Sequence, residues 1–111
     1  MRDRKPLMAF GVMGGSMQPQ GHVQMITRMF DWNQNPQTAA DAPRWRVIAD
    51  RRVIVEESFP PETVEELRRR GHDMIVRPFD AFGGAQLIYR LENGCYVAGS
   101  DPRKDGQAAG F

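Results

Sequence analysis

The residues best placed to do chemistry are two adjacent glycines, Gly14 and Gly15, in the stretch Met8 to His22. An apolar run from Leu7 to Val12 leads into them, Ser16 follows, and a helical pattern begins near Pro19. Strand, glycine pair and helix start together put free backbone N–H groups beside the positive end of a helix. Such a corner binds phosphate, carboxylate or the oxyanion that develops when a carbonyl is attacked. The same pair also serves a plain turn, because glycine permits positive φ and close backbone approach. The local residues leave both readings open. A phosphate loop is a poor match, since neither Gly-x-x-x-x-Gly-Lys-Ser/Thr nor Gly-x-Gly-x-x-Gly follows the strand.

Other reactive side chains are scattered. Ser16, His22 and Asp101 supply the residue types of a nucleophilic triad, but no Gly-x-Ser-x-Gly elbow accompanies them. His22 and His72 lack partners at metal-ligand spacing and read as capping or surface residues, so no metal and no cofactor is expected. Cys95 falls on a predicted strand without a basic neighbour in sequence and reads as an inert, packed thiol. Met8, Met13, Met17, Met25 and Met29 read as core filler.

The elements that must hold the glycine corner follow in order. Residues 1–5 are polar and expected to fray. Pro6 to Val12 reads as a short strand whose continuous apolar run predicts that both faces are covered. Gln20 to Asn33 has a helical period, with Val23, Ile26 and Phe30 as its stripe and Met25, Met29 and Trp32 widening it. Asn33 to Pro36 breaks that helix, and a short one from Gln37 to Asp41 ends at Ala42-Pro43. Trp45 to Ile48 and Arg52 to Glu56 predict a strand pair. Glu62 to Arg70 predicts a surface helix with Pro61 at its start, Gly71 as its left-handed cap, and Glu65–Arg69 and Glu66–Arg70 pairs. Met74 to Val76 is a brief strand, and Ala85 to Leu91 and Cys95 to Gly99 flank an Asn93-Gly94 hairpin turn. Hairpins dominate the second half, so the class is α+β with a mainly antiparallel sheet and flanking helices.

The totals set bounds. The 111 residues make one domain or part of one. Fifteen Lys+Arg against 14 Asp+Glu give a net charge of +1, which argues against a dedicated nucleic-acid module. A lone cysteine forms no internal disulfide. No apolar run approaches the roughly 20 residues of a membrane span. The charged start, Met1 to Pro6, is not followed by the apolar core of a signal peptide.

A series of landmarks resembles the C-terminal part of the γ-glutamyltranspeptidase family, of the N-terminal-nucleophile hydrolase superfamily. They are Ala9-Phe-Gly, Gly14-Gly15-Ser16, Asn35-Pro36, Ala42-Pro43-Arg44, Pro61-Glu-Thr, Gly71-His72, and Ser100-Asp-Pro-Arg103 before Gly106 and Gly110-Phe111. Met-Gln-Pro-Gln-Gly-His resembles a bacterial branch, and Met13 stands where familiar members carry proline. The resemblance implies that residues 1–111 are a single partial domain, the C-terminal portion of a four-layer αββα sandwich and roughly the last fifth of a self-cleaving precursor. It implies transfer of the γ-glutamyl group of glutathione or a related amide to water or an amino acid through a threonyl acyl-enzyme. By motif match, Gly14 and Gly15 give backbone N–H groups to the oxyanion hole. The nucleophile, its α-amino base and the residues that hold the glutamyl end are expected elsewhere, because Thr27, Thr38 and Thr63 are internal and helical. The fragment is therefore expected to be silent alone. Its expected partners are the rest of the precursor, a γ-glutamyl small molecule and a second copy in a homodimer, with no nucleic acid and no membrane. Family members are often periplasmic or secreted, and a leader would lie upstream. The rival expectations are a free-standing, non-catalytic structural or binding protein and a small anion-binding module on the glycine corner.

Overall fold

The computed structural model describes residue 1 and residues 3–110. Strands β1 (Met8–Met13), β5 (Gly84–Arg90) and β6 (Tyr96–Ser100) form one sheet in the order β1-β5-β6. Strands β2 (Trp45–Ala49), β3 (Arg52–Glu56) and β4 (Asp73–Arg77) form a second, in the order β2-β3-β4. Helices α1 (Met17–Ile26), α2 (Pro36–Asp41) and α3 (Pro61–Arg69) lie between them in sequence. The chain divides into two compact units, residues 43–82 and the remainder.

The α+β class holds, with two small sheets where one was expected. Three of the four strand pairings are antiparallel, including the Asn93-Gly94 hairpin. The exception is β3–β4, which runs parallel, with Val53 opposite Met74 and Val55 opposite Val76. Parallel neighbours need a crossover, and α3 supplies it. Its thin apolar stripe covers Val53, Val55 and Met74 through Val64 and Leu67. Its charges pair on the outer face: Glu66 with both Arg69 and Arg70, and Glu65 with Arg68 where Arg69 was expected.

In the other unit, Val12, Ala85 and Leu87 from the sheet meet Met25, Met29, Ala39 and Ala40 from the helical side. Within this segment only one face of β1 is covered: Val12 is buried, whereas Ala9, Gly11 and Met13 are exposed. The expected stripe of Val23, Ile26 and Phe30 faces outward, with Val23 60% exposed; of the residues expected to widen it, Met25 and Met29 are buried and Trp32 is exposed. The buried row is Met17, Gly21, Met25 and Met29, four residues apart. Gly21 decides this, since a β-carbon there would sit 2.6 Å from Val12 Cγ1. The helix approaches the strand on the side that lacks a side chain. Beyond Ile26 the helix widens into a π-turn, Thr27–Asp31, which Trp32 closes by donating its N–H to the Thr27 carbonyl.

Ser100-Asp-Pro-Arg103 does more than turn the chain. Arg103 and Asp101 are ion-paired with side chains 3% and 0% exposed. Arg103 Nη1 donates to the Ala40 carbonyl at 2.8 Å and Nη2 to that of Ala42 at 3.1 Å, at the C-terminal end of α2. These are orphan carbonyls at the negative end of a helix, where a cation is favoured. Asp101 Oδ2 in turn accepts the Ala85 N–H at 2.6 Å, and Oδ1 accepts the Arg103 N–H. Breaking a buried pair strands a charge, which costs about 3–5 kcal/mol. Arg103→Ala is therefore expected to lower unfolding stability by about that amount. Arg103→Lys is expected to recover less than half of it, because one ammonium replaces a fork that reaches several oxygens. Urea titration of the three proteins checks both; equal midpoints for parent and Arg103→Lys would count against the fork.

Candidate functional site: the Gly14–Gly15 turn

β1 ends at Met13, and the chain reverses through Gly14 at φ +124 and Gly15 at φ +57 before α1 starts at Met17. A φ of +124 is closed to ordinary side chains, and +57 is costly for them. The carbonyls of Gly14 and Gly15 accept the N–H groups of Met17 and Gln18, both at 3.0 Å, which starts the helix. The N–H groups of Gly14, Gly15 and Ser16 make no hydrogen bond to any described residue. All three residues are exposed. Ser16 occupies the N-cap position without a side-chain cap bond. Three consecutive free amides thus stand at the positive end of a ten-residue helix. A nearby negative oxygen would be attracted by both the amide donors and the dipole.

A residue that the sequence did not single out supports the turn from behind. Gly83 is buried at φ +70, and a β-carbon there would lie 1.9 Å from the Met13 carbonyl oxygen. A β-carbon on Gly14 would lie 3.2 Å from Gly83 Cα. The two backbones are in direct contact where Met13 pairs with Gly84. One residue further, Asp101 holds Ala85. The signal available in sequence was the second glycine pair, Gly83-Gly84, which reads as an ordinary loop.

The remaining candidates do not gather here as a triad. His22 Nε2 accepts the Val12 N–H at 3.1 Å, and Asp101 bonds Ala85 and Arg103. His72 is exposed. Cys95 is exposed just before β6, not packed within it, because the hairpin's return strand begins only at Tyr96. Met17, Met25 and Met29 fill the core as expected, but Met13 is 53% exposed beside the turn, on the uncovered face of β1. Thr27, Thr38 and Thr63 all lie in helical segments. Among the described residues no group of three His, Cys, Asp or Glu side chains could hold a metal ion.

The family model described as gamma-glutamyltranspeptidase matches residues 1–111. The chain belongs to the gamma-glutamyltranspeptidase family. It is 35% identical over 114 residues to the glutathione hydrolase-like YwrD proenzyme of Bacillus subtilis, covering 96% of this chain and 22% of that one. It is 33% identical over 112 residues to the oxamate amidohydrolase proenzyme of Klebsiella pneumoniae, covering 95% of this chain and 21% of that one. Among solved structures, cephalosporin acylase from Bacillus halodurans superposes with a TM-score of 0.94 at 44% identity, over 98% of this chain and 21% of that one. The chain thus spans about a fifth of the length of the curated relatives it matches.

The gamma-glutamyltranspeptidase segment makes its two glycines separable by experiment. At Gly83 an added methyl meets backbone that cannot swing aside, so Gly83→Ala is expected to cost more than about 3 kcal/mol. At Gly15 nothing lies within 4 Å of an added β-carbon. Gly15→Ala should therefore cost only the left-handed penalty, about 1 kcal/mol. Thermal unfolding of both variants checks this; equal losses would contradict the contact geometry.

Proposed function

We propose that this segment supplies the oxyanion-stabilising turn of an amide-cleaving acyltransferase or hydrolase. The observation that carries the reading is the set of free Gly14, Gly15 and Ser16 amides on a strand-to-helix turn, within a family segment. In this reading a threonine supplied by another part of the protein attacks the amide carbonyl of the substrate. A bond forms between its oxygen and the carbonyl carbon, and the carbonyl oxygen takes the electron pair as an oxyanion. The Gly14 and Gly15 N–H groups donate to that oxygen, where they stabilise the transition state more than the ground state. Collapse of the intermediate expels the amine, which takes the proton from the threonine. Water or an amino acid then attacks the acyl-enzyme and releases the acyl group.

The glutamyl group of glutathione or a related amide is the proposed acyl group, and residues 1–111 are proposed to form one part of a four-layer αββα fold. Relatives named for glutathione, oxamate and cephalosporin substrates share this segment. An element common to such different substrates fits a role at the tetrahedral carbon that amide cleavage has in common. The exposed face of the β1-β5-β6 sheet, with Ala9, Gly11, Met13, Ile88 and Ala98, fits contact with a further layer. The proposed partner is therefore the rest of the precursor.

Replacing the Gly15 peptide N–H by an ester oxygen in the complete enzyme removes a donor and keeps the chain geometry. The expected loss in kcat is about 10²–10³-fold with KM nearly unchanged, measured on a γ-glutamyl anilide. Unchanged kcat would overturn the oxyanion reading. The 111-residue chain alone is expected to release no anilide product above background and to self-associate through its open sheet face, most simply as a symmetric dimer. Light scattering that shows a monomer at high concentration would refute the second expectation.

A further inference from the structure

We infer that His22 is a positioning residue: its neutral imidazole clamps strand β1 to helix α1 and so sets the Gly14–Gly15 turn between them. The inference rests on the oxyanion reading of that turn. β1 is an outer strand of its sheet, and its backbone N–H groups alternate between the β5 side and the open side. The Val12 N–H does not go to β5; it donates to His22 Nε2 at 3.1 Å, across ten residues of sequence. This one bond closes the whole strand–turn–helix corner into a ring. Nε2 can accept only with its lone pair free, so the ring is neutral and its proton is on Nδ1. Phe10 meets the imidazole edge-on, with centroids 5.2 Å apart and planes at 84°, and helps fix its orientation. The close approach at Gly21 brings α1 within reach of the strand.

His22 also lines an open groove of about 600 Å³ that runs past Met13, Gln18, Gly84, Gln86 and Lys104 to the start of the turn. Protons from solvent therefore have a path to the ring. The electrostatic setting is simple. Neither β1 nor α1 carries an ionisable side chain apart from His22, and β5 carries only Tyr89 and Arg90, at its far end. Lys104 is the other ionisable side chain lining the groove. Protonating Nε2 replaces the acceptor by a second donor facing the Val12 N–H, so the clamp opens and the turn loses its register.

The test uses the complete enzyme. His22→Ala is expected to lower kcat about three- to tenfold at neutral pH with KM little changed, the scale of one lost hydrogen bond. His22→Gln, whose amide oxygen can accept the same N–H but does not titrate, is expected to restore most of that loss. The ratio of kcat for His22→Gln to kcat for the parent should rise at least threefold on acidification. A ratio flat with pH, or a His22→Ala kcat equal to the parent's, overturns the proposal. If His22→Ala does not fold, the His22→Gln ratio decides alone. The nitrogen–nitrogen NMR coupling across the Val12–His22 hydrogen bond, recorded on the complete enzyme with 15N-labelled valine and histidine, is expected at neutral pH and should vanish on acidification. Its absence at neutral pH also overturns the proposal. An ester at Gly15 without effect on kcat would sink the oxyanion reading while leaving that coupling in place, so the two failures are distinguishable.

Discussion

The contact between Gly83 and the Met13–Gly14 peptide constrains everything around the candidate site. Backbone touches backbone there, and no side chain mediates. The β1–β5 ladder ends at this point, with Met13 opposite Gly84, and the turn into α1 begins. Behind it the constraint changes character. Asp101 fixes Ala85 by hydrogen bonds, Arg103 fixes Asp101 by charge, and Arg103 is itself anchored on the carbonyls that end α2. A steric stop and a buried ion pair thus act in series. The first sets where the turn is, and the second keeps the strand below it from sliding. Steric exclusion of a methyl is insensitive to salt and pH, whereas a buried pair depends on both partners remaining charged.

The turn is shaped so that its donors stay free. Had Gly14 and Gly15 bonded their N–H groups inward, the corner would satisfy itself and offer nothing to a ligand. Instead their carbonyls face the helix and start its hydrogen-bond ladder, which turns the amides outward. Exposure makes this affordable, since water can serve the donors until an anion replaces it. Positive φ at both glycines is what permits this arrangement, and β-branched or bulky residues could not adopt it.

Much of this was legible in the sequence, and the gaps have physical causes. The Asn93-Gly94 hairpin, the α3 boundaries marked by Pro61 and Gly71, and the short α2 after Asn35 all depend on local turn and cap chemistry, which a single segment carries. Asn35 indeed caps α2 by accepting the Thr38 N–H. The glycine corner was legible for the same reason, and its place in a known family followed from a series of short landmarks. What failed depended on partners remote in sequence. The direction of β4, which no local pattern fixes, is set by how α3 folds back. The buried face of α1 was legible in Met17, Met25 and Met29, but the stripe was centred on Val23, Ile26 and Phe30 because Gly21, whose missing side chain lets Val12 approach, was not weighed. Gly83 and Arg103 act on groups dozens of residues away, and no local pattern announces such a contact.

The two faces of the β1-β5-β6 sheet divide the work unequally. One face carries Val12, Ala85 and Leu87 and is closed by the helices. The other carries Ala9, Gly11 and Ala98, with Met13, Ile88 and Tyr96 as its larger hydrophobic side chains, and all of these are exposed. Alanine and glycine bury little apolar area, so this face contributes little to a core built by the segment alone. Small side chains do allow a second layer to come close, and Met13, Ile88 and Tyr96 would gain most from being covered. Met13 directly precedes the turn. Covering it would restrict the chain immediately ahead of the free amides, so completing the layer and fixing the donors would be a single packing event.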